Sequence, residues 1–128
     1  MKYNLLIIVL FINLNLFAQN NLDNYFKGIA AFQYGEFEDA IFNLSEAIND
    51  NNKDHILYIA RGDVYFSSGN YIQAINNYRT AEDIKTETAY LQLAKSYSML
   101  YMTDSSIFFL KNYLDQYNKE SKVDIKLD

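Results

Sequence analysis

Residues 58–81 read YIARGDVYFSSGNYIQAINNYRTA and carry the strongest structural signal in the chain. Apolar and small residues recur in this stretch at steps of three and four, which is the period of one face of an α-helix. The pattern breaks once, at Gly69-Asn70, and resumes at Tyr71. The stretch therefore predicts two helices joined by a tight turn, and each of them is too short to be stable in isolation.

The same pattern occurs a second time, 34 residues earlier in the chain. Five positions keep their residue type across this shift, so that Gly62, Gly69, Ala74, Ile75 and Ala81 correspond to Gly28, Gly35, Ala40, Ile41 and Ala47. The chain has only 4 glycines, and all of them stand at these two equivalent places. A fixed period of this length predicts helical hairpins that stack on one another.

At these residues the sequence resembles the tetratricopeptide repeat (TPR) family. The family pattern has an aromatic residue, leucine-glycine and tyrosine in the first helix, a glycine in the turn, and alanine, a large apolar residue, alanine and proline afterwards. In this chain the positions of the family pattern are occupied, in order, by Tyr58, Gly62, Tyr65, Gly69, Ala74, Tyr78 and Ala81. Arg61 replaces the leucine and Thr86 the proline. The resemblance implies an all-α solenoid of three repeats, with six helices wound as a right-handed superhelix.

We expect the three repeats at residues 21–54, 55–86 and 87–120, within a domain that covers residues 19–120. The pattern predicts helices near residues 22–34, 37–50, 55–68 and 71–84 in the first two repeats. Gly28 is expected to lie against Ala40, which lets the first two helices approach closely. In the third repeat, Tyr101 stands where the turn glycine is expected. The polar tail at residues 121–128 ends the chain, and from Lys119 onward we expect extended or disordered backbone, with a short strand as the alternative.

The N-terminus has the features of a secretory signal peptide. Lys2 is followed by an apolar run of 13 residues, Leu5 to Phe17, and Ala18 is a small residue at its exit. This arrangement predicts a signal peptide at residues 1–18. A membrane anchor would need about 20 apolar residues, and Asn13 and Asn15 interrupt this run. We therefore expect an exported protein, periplasmic or secreted if bacterial, that meets a membrane only through its uncleaved signal segment.

Composition excludes several classes of function. The net charge of −5 provides no basic face for nucleic acid. The absence of cysteine removes disulfides, thiolate metal sites and cysteine nucleophiles. His55 is the only histidine, and we interpret it as an exposed surface residue. No nucleophile–base pair or metal cluster is visible, so we expect no enzyme activity, no metal and no cofactor.

The remaining hypothesis is surface recognition. The resemblance implies that the first helix of each repeat lines a concave groove that holds a peptide or a partner segment. Carried over by position, the lining residues are Tyr25, Ile29, Phe32, Ile59, Asp63, Phe66, Leu91 and Lys95. This lining is largely apolar. We therefore expect a scaffold for protein–protein interaction in the cell envelope.

Two alternatives remain open. Aromatic residues at helical spacing commonly belong to the core, so Phe32 and Phe66 could mainly support packing between hairpins. The chain could also be a sensory or adaptor component, or a self-associating structural component, of a larger envelope assembly. It would then dock through its last helix, where Phe109, Tyr113 and Tyr117 are expected to remain partly uncovered, because no clear solvating helix follows the third repeat. A chain that originally continued further is the other explanation for these uncovered residues.

Overall fold

The computed structural model describes the backbone of residues 2–123 and the side chains of residues 7–10 and 22–120. This part of the chain is all-helical. Its elements are α1 (Lys2–Gln33), α2 (Phe37–Asp50), α3 (His55–Ser67), α4 (Tyr71–Ile84), α5 (Tyr90–Met99) and α6 (Thr103–Val123). Consecutive helices pack on one another, so that three hairpins, α1–α2, α3–α4 and α5–α6, stack in chain order. The predicted architecture of three helical hairpins is confirmed.

The helix bounds agree with the sequence pattern except at the two ends. The bounds of α2 and α4 are those predicted, and α3 ends one residue early. The prediction that the first helix begins near Leu22 is wrong, because α1 already begins at Lys2. Neither proline nor glycine occurs before Gly28, so no residue in this stretch interrupts a helix. The signal peptide at residues 1–18 stays a prediction.

At the other end, α6 continues to Val123. Residues 119–123 are therefore helical, and the prediction of extended or disordered backbone is wrong for them. The reason is the same as in α1, since neither glycine nor proline follows Thr103. Residues 124–128, which complete the predicted polar tail, lie outside the described residues.

All three hairpins close with the same turn. Gly35 and Gly69 adopt φ values of 77° and 81°, which glycine reaches without steric strain. Tyr101 holds the same place in the third hairpin with φ 57°. The residue after each of these donates a backbone hydrogen bond across the turn, and the equivalent bonds are Glu36 to Ala31 (2.9 Å), Asn70 to Tyr65 (2.8 Å) and Met102 to Tyr97 (2.9 Å). The turn therefore forms in the third hairpin despite the missing glycine.

Replacing Tyr101 with glycine is expected to raise the free energy of unfolding by about 0.5–1 kcal/mol. The left-handed conformation is unfavourable for a residue with a Cβ atom by about 1–2 kcal/mol, and the greater freedom of glycine in the unfolded chain offsets part of this gain. The Tyr101 side chain is 93% exposed, so its removal loses little packing. Urea denaturation measures the change.

The matched control for this substitution is Tyr34→Gly. Tyr34 is also highly exposed, at 82%, but it is not among the described residues with positive φ. We expect Tyr34→Gly to leave stability unchanged or to lower it. Equal effects of the two substitutions would contradict the assignment of backbone strain to Tyr101.

Small residues allow the two helices of a hairpin to approach closely. A Cβ atom built on Gly28 would lie 2.7 Å from Leu44 Cγ and 3.3 Å from the Ala40 carbonyl oxygen. A Cβ atom on Gly62 would lie 2.6 Å from Tyr78 Cε1. The predicted contact of Gly28 with Ala40 is therefore present, although the Leu44 side chain is closer. The two glycines have equivalent surroundings.

The joints between hairpins are built alike. In each joint, the second helix of one hairpin buries apolar residues against the first helix of the next. At the first joint, Ala40, Leu44, Ala47 and Ile48 of α2 form clusters with Leu57, Ala60 and Val64 of α3. At the second joint, Ile75 and Tyr78 of α4 cluster with Ala89 at the start of α5 and with Leu93 of α5. Each joint therefore contains buried apolar clusters shared by the two hairpins that it connects.

Arg61, which departs from the family pattern, connects the first two hairpins. Its Nε donates a hydrogen bond to Asn77 Oδ1 (2.9 Å) and its Nη1 donates one to Ser45 Oγ (2.9 Å). The guanidinium carbon also lies 5.8 Å from the centre of the Tyr58 ring. Asn77 is buried, so its hydrogen bond matters for stability. The position normally held by leucine is thus a polar link between α2, α3 and α4.

Glu82 organises the connection between the second and third hairpins. Its carboxylate accepts hydrogen bonds from the backbone N–H groups of Glu87 (2.9 Å) and Thr88 (2.8 Å). It also accepts one from the N–H of Ala89, at the start of α5. These bonds pair donors at a helix start that has no side-chain cap of its own. They also hold Glu87, whose φ is 65°.

Candidate functional site

The eight residues predicted to line the groove all lie on α1, α3 and α5, the first helices of the three hairpins. Seven of them are half-buried and Lys95 is exposed. They form rows at equivalent positions of successive hairpins. One row contains Tyr25, Ile59 and Leu91, a second contains Ile29, Asp63 and Lys95, and a third contains Phe32 and Phe66. The fold thus brings the predicted residues to one set of helix positions.

The two phenylalanines of the third row have a packing role as well. The Phe32 ring lies 6.3 Å from the Phe37 ring, and the Phe66 ring lies 5.3 Å from the Tyr71 ring. Both rings also pack against buried clusters. The alternative that Phe32 and Phe66 support packing between hairpins is therefore correct in part. Since both side chains are only half-buried, part of each surface remains accessible.

Asp63 is the charged residue set deepest in these rows. Its Oδ1 accepts a hydrogen bond from the Tyr78 hydroxyl at 2.7 Å. Burial raises the pKa of Asp63, while the Tyr78 hydrogen bond and the positive charge of Lys95 act in the opposite direction. Burial and the neighbouring Asp63 carboxylate raise the pKa of Tyr78. Asp63 is therefore a partly desolvated carboxylate held in a fixed position.

His55 is only 21% exposed at its side chain, so the prediction of an exposed surface histidine is wrong. It lies in the first turn of α3, where Nδ1 is 3.9 Å from the carboxylate of Asp54. Asp54 caps this helix by accepting a hydrogen bond from the Ile56 N–H at 3.0 Å. The cap places the two side chains next to each other, which reduces the exposure of the histidine.

The described residues contain no group of three or more metal-binding side chains. Among the helices in the same part of the chain, none is both long enough and apolar enough to cross a membrane.

A surface cavity of about 520 Å³ lies between α4, α5 and α6, away from the predicted rows. Its walls include Arg79, Glu82, Tyr90, Leu93, Phe108 and Phe109. This cavity was not predicted from the sequence. Its lining comes from three helices and follows no repeat, so a period-based argument provides no signal for it.

The last helix has an exposed apolar face. We call it the α6 stripe, and it consists of Ile107 (50% exposed), Leu110 (41%), Leu114 (49%) and Tyr117 (61%). Tyr117 is exposed, as the sequence led us to expect. Phe109 and Tyr113 are half-buried, and the Phe109 ring stacks on Tyr97 with 5.5 Å between ring centres. All three residues thus remain partly uncovered, as predicted, but Ile107, Leu110 and Leu114 are more exposed than Phe109 and Tyr113.

Comparison with known proteins identifies the fold. The chain is similar to the crystal structure of MamA, with a TM-score of 0.77 and 29% sequence identity over 80% of this chain and 61% of MamA. It is also similar to the TPR domain of OM64 from Arabidopsis, with a TM-score of 0.73 and 22% identity over 82% of this chain and 90% of that domain. The chain thus spans about three fifths of the length of MamA. No protein-family model matches the sequence, and no curated protein matches it significantly.

Proposed function

Because this chain is a tetratricopeptide repeat protein, we propose that it binds a peptide or partner segment along the rows on α1, α3 and α5. The fold is that of protein–protein interaction modules, which are typically scaffolds rather than enzymes. The groove, the identity of the bound segment and the cell envelope as its place are our proposal. Fractionation of the source cells tests the compartment, and a cytoplasmic pool alone would contradict it.

The observation that carries the proposal is the repetition of half-buried apolar and aromatic side chains at equivalent positions. Tyr25 and Ile59 are both half-buried in the first row, as are Phe32 and Phe66 in the third. Accessible apolar surface of this kind commonly marks a binding site. Aromatic side chains are also effective anchors, because they contribute a large area with few rotatable bonds. A partner segment that follows the rows would meet one such anchor at each hairpin.

The charges in the second row add a polar element. Ile29, Asp63 and Lys95 hold one equivalent position in the three hairpins, so that an apolar, an acidic and a basic residue follow one another along the array. Asp63 is held by Tyr78 and Lys95 is exposed. A partner segment with a basic group near Asp63 and an acidic group near Lys95 would therefore be favoured over one with the opposite order.

Replacing Tyr25, Phe32 and Phe66 together with alanine is expected to abolish partner binding while the helices remain. Truncation of an aromatic anchor weakens binding by about 2 kcal/mol or more, so three of them should reduce affinity by at least about 100-fold. A peptide selected on the wild-type chain from a display library serves as the probe. Fluorescence anisotropy measures its affinity, and circular dichroism measures the helix content of the variant.

Tyr34→Ala is the matched control for this experiment. Tyr34 is an aromatic residue of similar size that is 82% exposed and lies outside the rows. We expect this variant to bind the peptide like the wild type. Since the phenylalanines also support packing, Lys95→Glu provides a second variant, which only reverses the sign of one exposed charge of the groove. Unchanged binding by both the triple variant and Lys95→Glu would show that the groove assignment is wrong.

A second candidate function is docking through the last helix, as an adaptor or a self-associating component of an envelope assembly. The observation that favours it is the α6 stripe, which exposes four large apolar or aromatic side chains on one helix face. Apolar patches of this kind commonly mark interaction sites. This function does not exclude the first, because the rows and the α6 stripe lie on different helices.

A further inference from the structure

Part of the α6 stripe continues an interface that the chain already forms between its hairpins. At equivalent positions of successive repeats, Ile107 corresponds to Ile75 of α4, and Leu110 corresponds to Tyr78 of α4 and Leu44 of α2. Tyr78 and Leu44 are 1% and 0% exposed, and Ile75 is 7% exposed, because their own hairpin and the next hairpin together cover them. At α6 the equivalent side chains are 41–50% exposed. The surface that receives the following helix is thus present on α6 and open.

The two existing joints show what kind of structure covers such a surface. At the first joint, α3 packs Leu57, Ala60 and Val64 on α2. At the second joint, Ala89 and Leu93 pack on α4. In both cases the covering element is an α-helix whose apolar side chains are three or four residues apart, and at the second joint they include the larger Tyr97. The 3-4-3 spacing of the α6 stripe matches the ridges of such a helix.

A second copy of this chain is poorly suited to cover the α6 stripe. If α1 of another copy took the place of α3, Lys27 would stand in the position of Arg61 and Asp23 in that of Leu57. On α6, Lys111 stands in the position of Ser45, which accepts the hydrogen bond from Arg61. Lys27 pairs with Asp23 at 2.6 Å, so this contact would bring Lys27 toward Lys111 and would press the exposed ion pair against the apolar surface. Like charges and a buried carboxylate both disfavour this contact.

We propose that the α6 stripe docks an amphipathic helix of a different protein, with an acidic side chain opposite Lys111. This inference rests on the second candidate function and is independent of the groove. The helix would place small or medium-sized apolar residues against Leu110 and Leu114, as α3 does against α2. Its acidic residue would stand where α3 carries Arg61. Apolar contact provides most of the affinity, and the charge at Lys111 selects the partner.

Two synthetic peptides test this proposal directly. Both contain residues 54–68, the segment that covers α2, and both carry a hydrocarbon staple on the solvent face, because a helix of this length is marginal in water. One keeps Arg61 and the other carries Arg61→Glu. We expect the glutamate peptide to bind the wild-type chain about two- to fivefold more tightly, as a partly exposed ion pair allows. On a Lys111→Glu variant the preference should reverse.

Two further variants separate the α6 stripe from the rest of the surface. Leu114→Asp places a charge in the stripe and should abolish binding of both peptides. Phe108→Asp is the matched control, since Phe108 lies on the same helix and is 60% exposed but borders the cavity instead. We expect it to bind like the wild type. Circular dichroism verifies that each variant is folded.

Two results would overturn the proposal. One is peptide binding that Leu114→Asp leaves unchanged, which would place the peptide elsewhere on the chain. The other is a wild-type dimer in sedimentation that Leu114→Asp converts to a monomer, which would make a second copy the occupant. The alanine variant of Tyr25, Phe32 and Phe66 should still bind the glutamate peptide. The experiments therefore distinguish a wrong groove assignment from a wrong assignment of the α6 stripe.

Discussion

Replacing Tyr78 with alanine is expected to lower the free energy of unfolding by about 3–5 kcal/mol, the range for truncation of a large buried aromatic side chain. Tyr78 is 1% exposed and belongs to the cluster that joins the second hairpin to the third, together with Ile75, Leu93 and Tyr97. Its ring also lies over Gly62. Its removal would leave a cavity at the place where all these contacts meet. Urea denaturation followed by circular dichroism measures the loss.

Tyr78→Phe separates the hydrogen bond from the packing. It keeps the ring but removes the hydroxyl that donates to Asp63 at 2.7 Å, and we expect a loss of about 1 kcal/mol at neutral pH. Without this bond the folded-state pKa of Asp63, already raised by burial, should rise further. A raised carboxyl pKa destabilises the fold once the pH exceeds the ordinary value, so the loss should shrink as the pH falls toward about 4.

Tyr117→Ala is the control for the effect of losing a tyrosine, because Tyr117 is 61% exposed. We expect its effect on stability to be within about 0.5 kcal/mol, as for most surface substitutions. If Tyr78→Ala were no more destabilising than Tyr117→Ala, Tyr78 would not be the central residue of the core that the structure shows.

The second large effect is expected for Gly62→Val, which should lower the free energy of unfolding by about 1–3 kcal/mol through overpacking. A Cβ atom at this position would lie 2.6 Å from Tyr78 Cε1, and the tyrosine is only 1% exposed. Gly28→Val should have a similar effect, because its Cβ would lie 2.7 Å from Leu44 Cγ. Both variants should still be helical at low temperature.

Ser67→Val on the same helix is the matched control, since Ser67 is exposed and valine has a similar helix propensity at either site. A double-mutant cycle with Tyr78→Ala tests the contact itself. Because the alanine removes the clashing ring, Gly62→Val should be much less destabilising in that background. Strictly additive effects would show that the glycine matters for a reason other than the approach of Tyr78.

Most of the architecture could be predicted from the 34-residue period. The period places Gly28 and Gly62 at equivalent contacts, and the structure confirms that both lie against a large side chain of the partner helix. The polar links could not be predicted in this way. Arg61 and Glu82 hold the joints through contacts that occur once each, and a residue that breaks the repeat leaves no periodic signal. The pattern indicated only that leucine was missing at residue 61.

The ends of the chain were also difficult to predict. A repeat pattern says where hairpins resemble each other, but it contains no information on where the first helix begins, and α1 starts at Lys2. For the candidate site, the period placed Tyr25, Ile59 and Leu91 in one row, and the structure keeps them at equivalent positions. The period did not predict the α6 stripe, because Ile75, Tyr78 and Leu44, which hold equivalent positions in the other hairpins, are buried.

The hydrogen bond from Arg61 to Ser45 also limits how such an array could grow by gene duplication. Ser45 can accept a hydrogen bond from the next hairpin, but the equivalent residue one repeat later is Arg79. A tandem copy of residues 55–86 inserted after residue 86 would set a second Arg61 against Arg79. The next hairpin in the natural chain carries Leu93 at that position instead. The three hairpins are therefore not interchangeable, because the side chains at their joints are compatible with only one order.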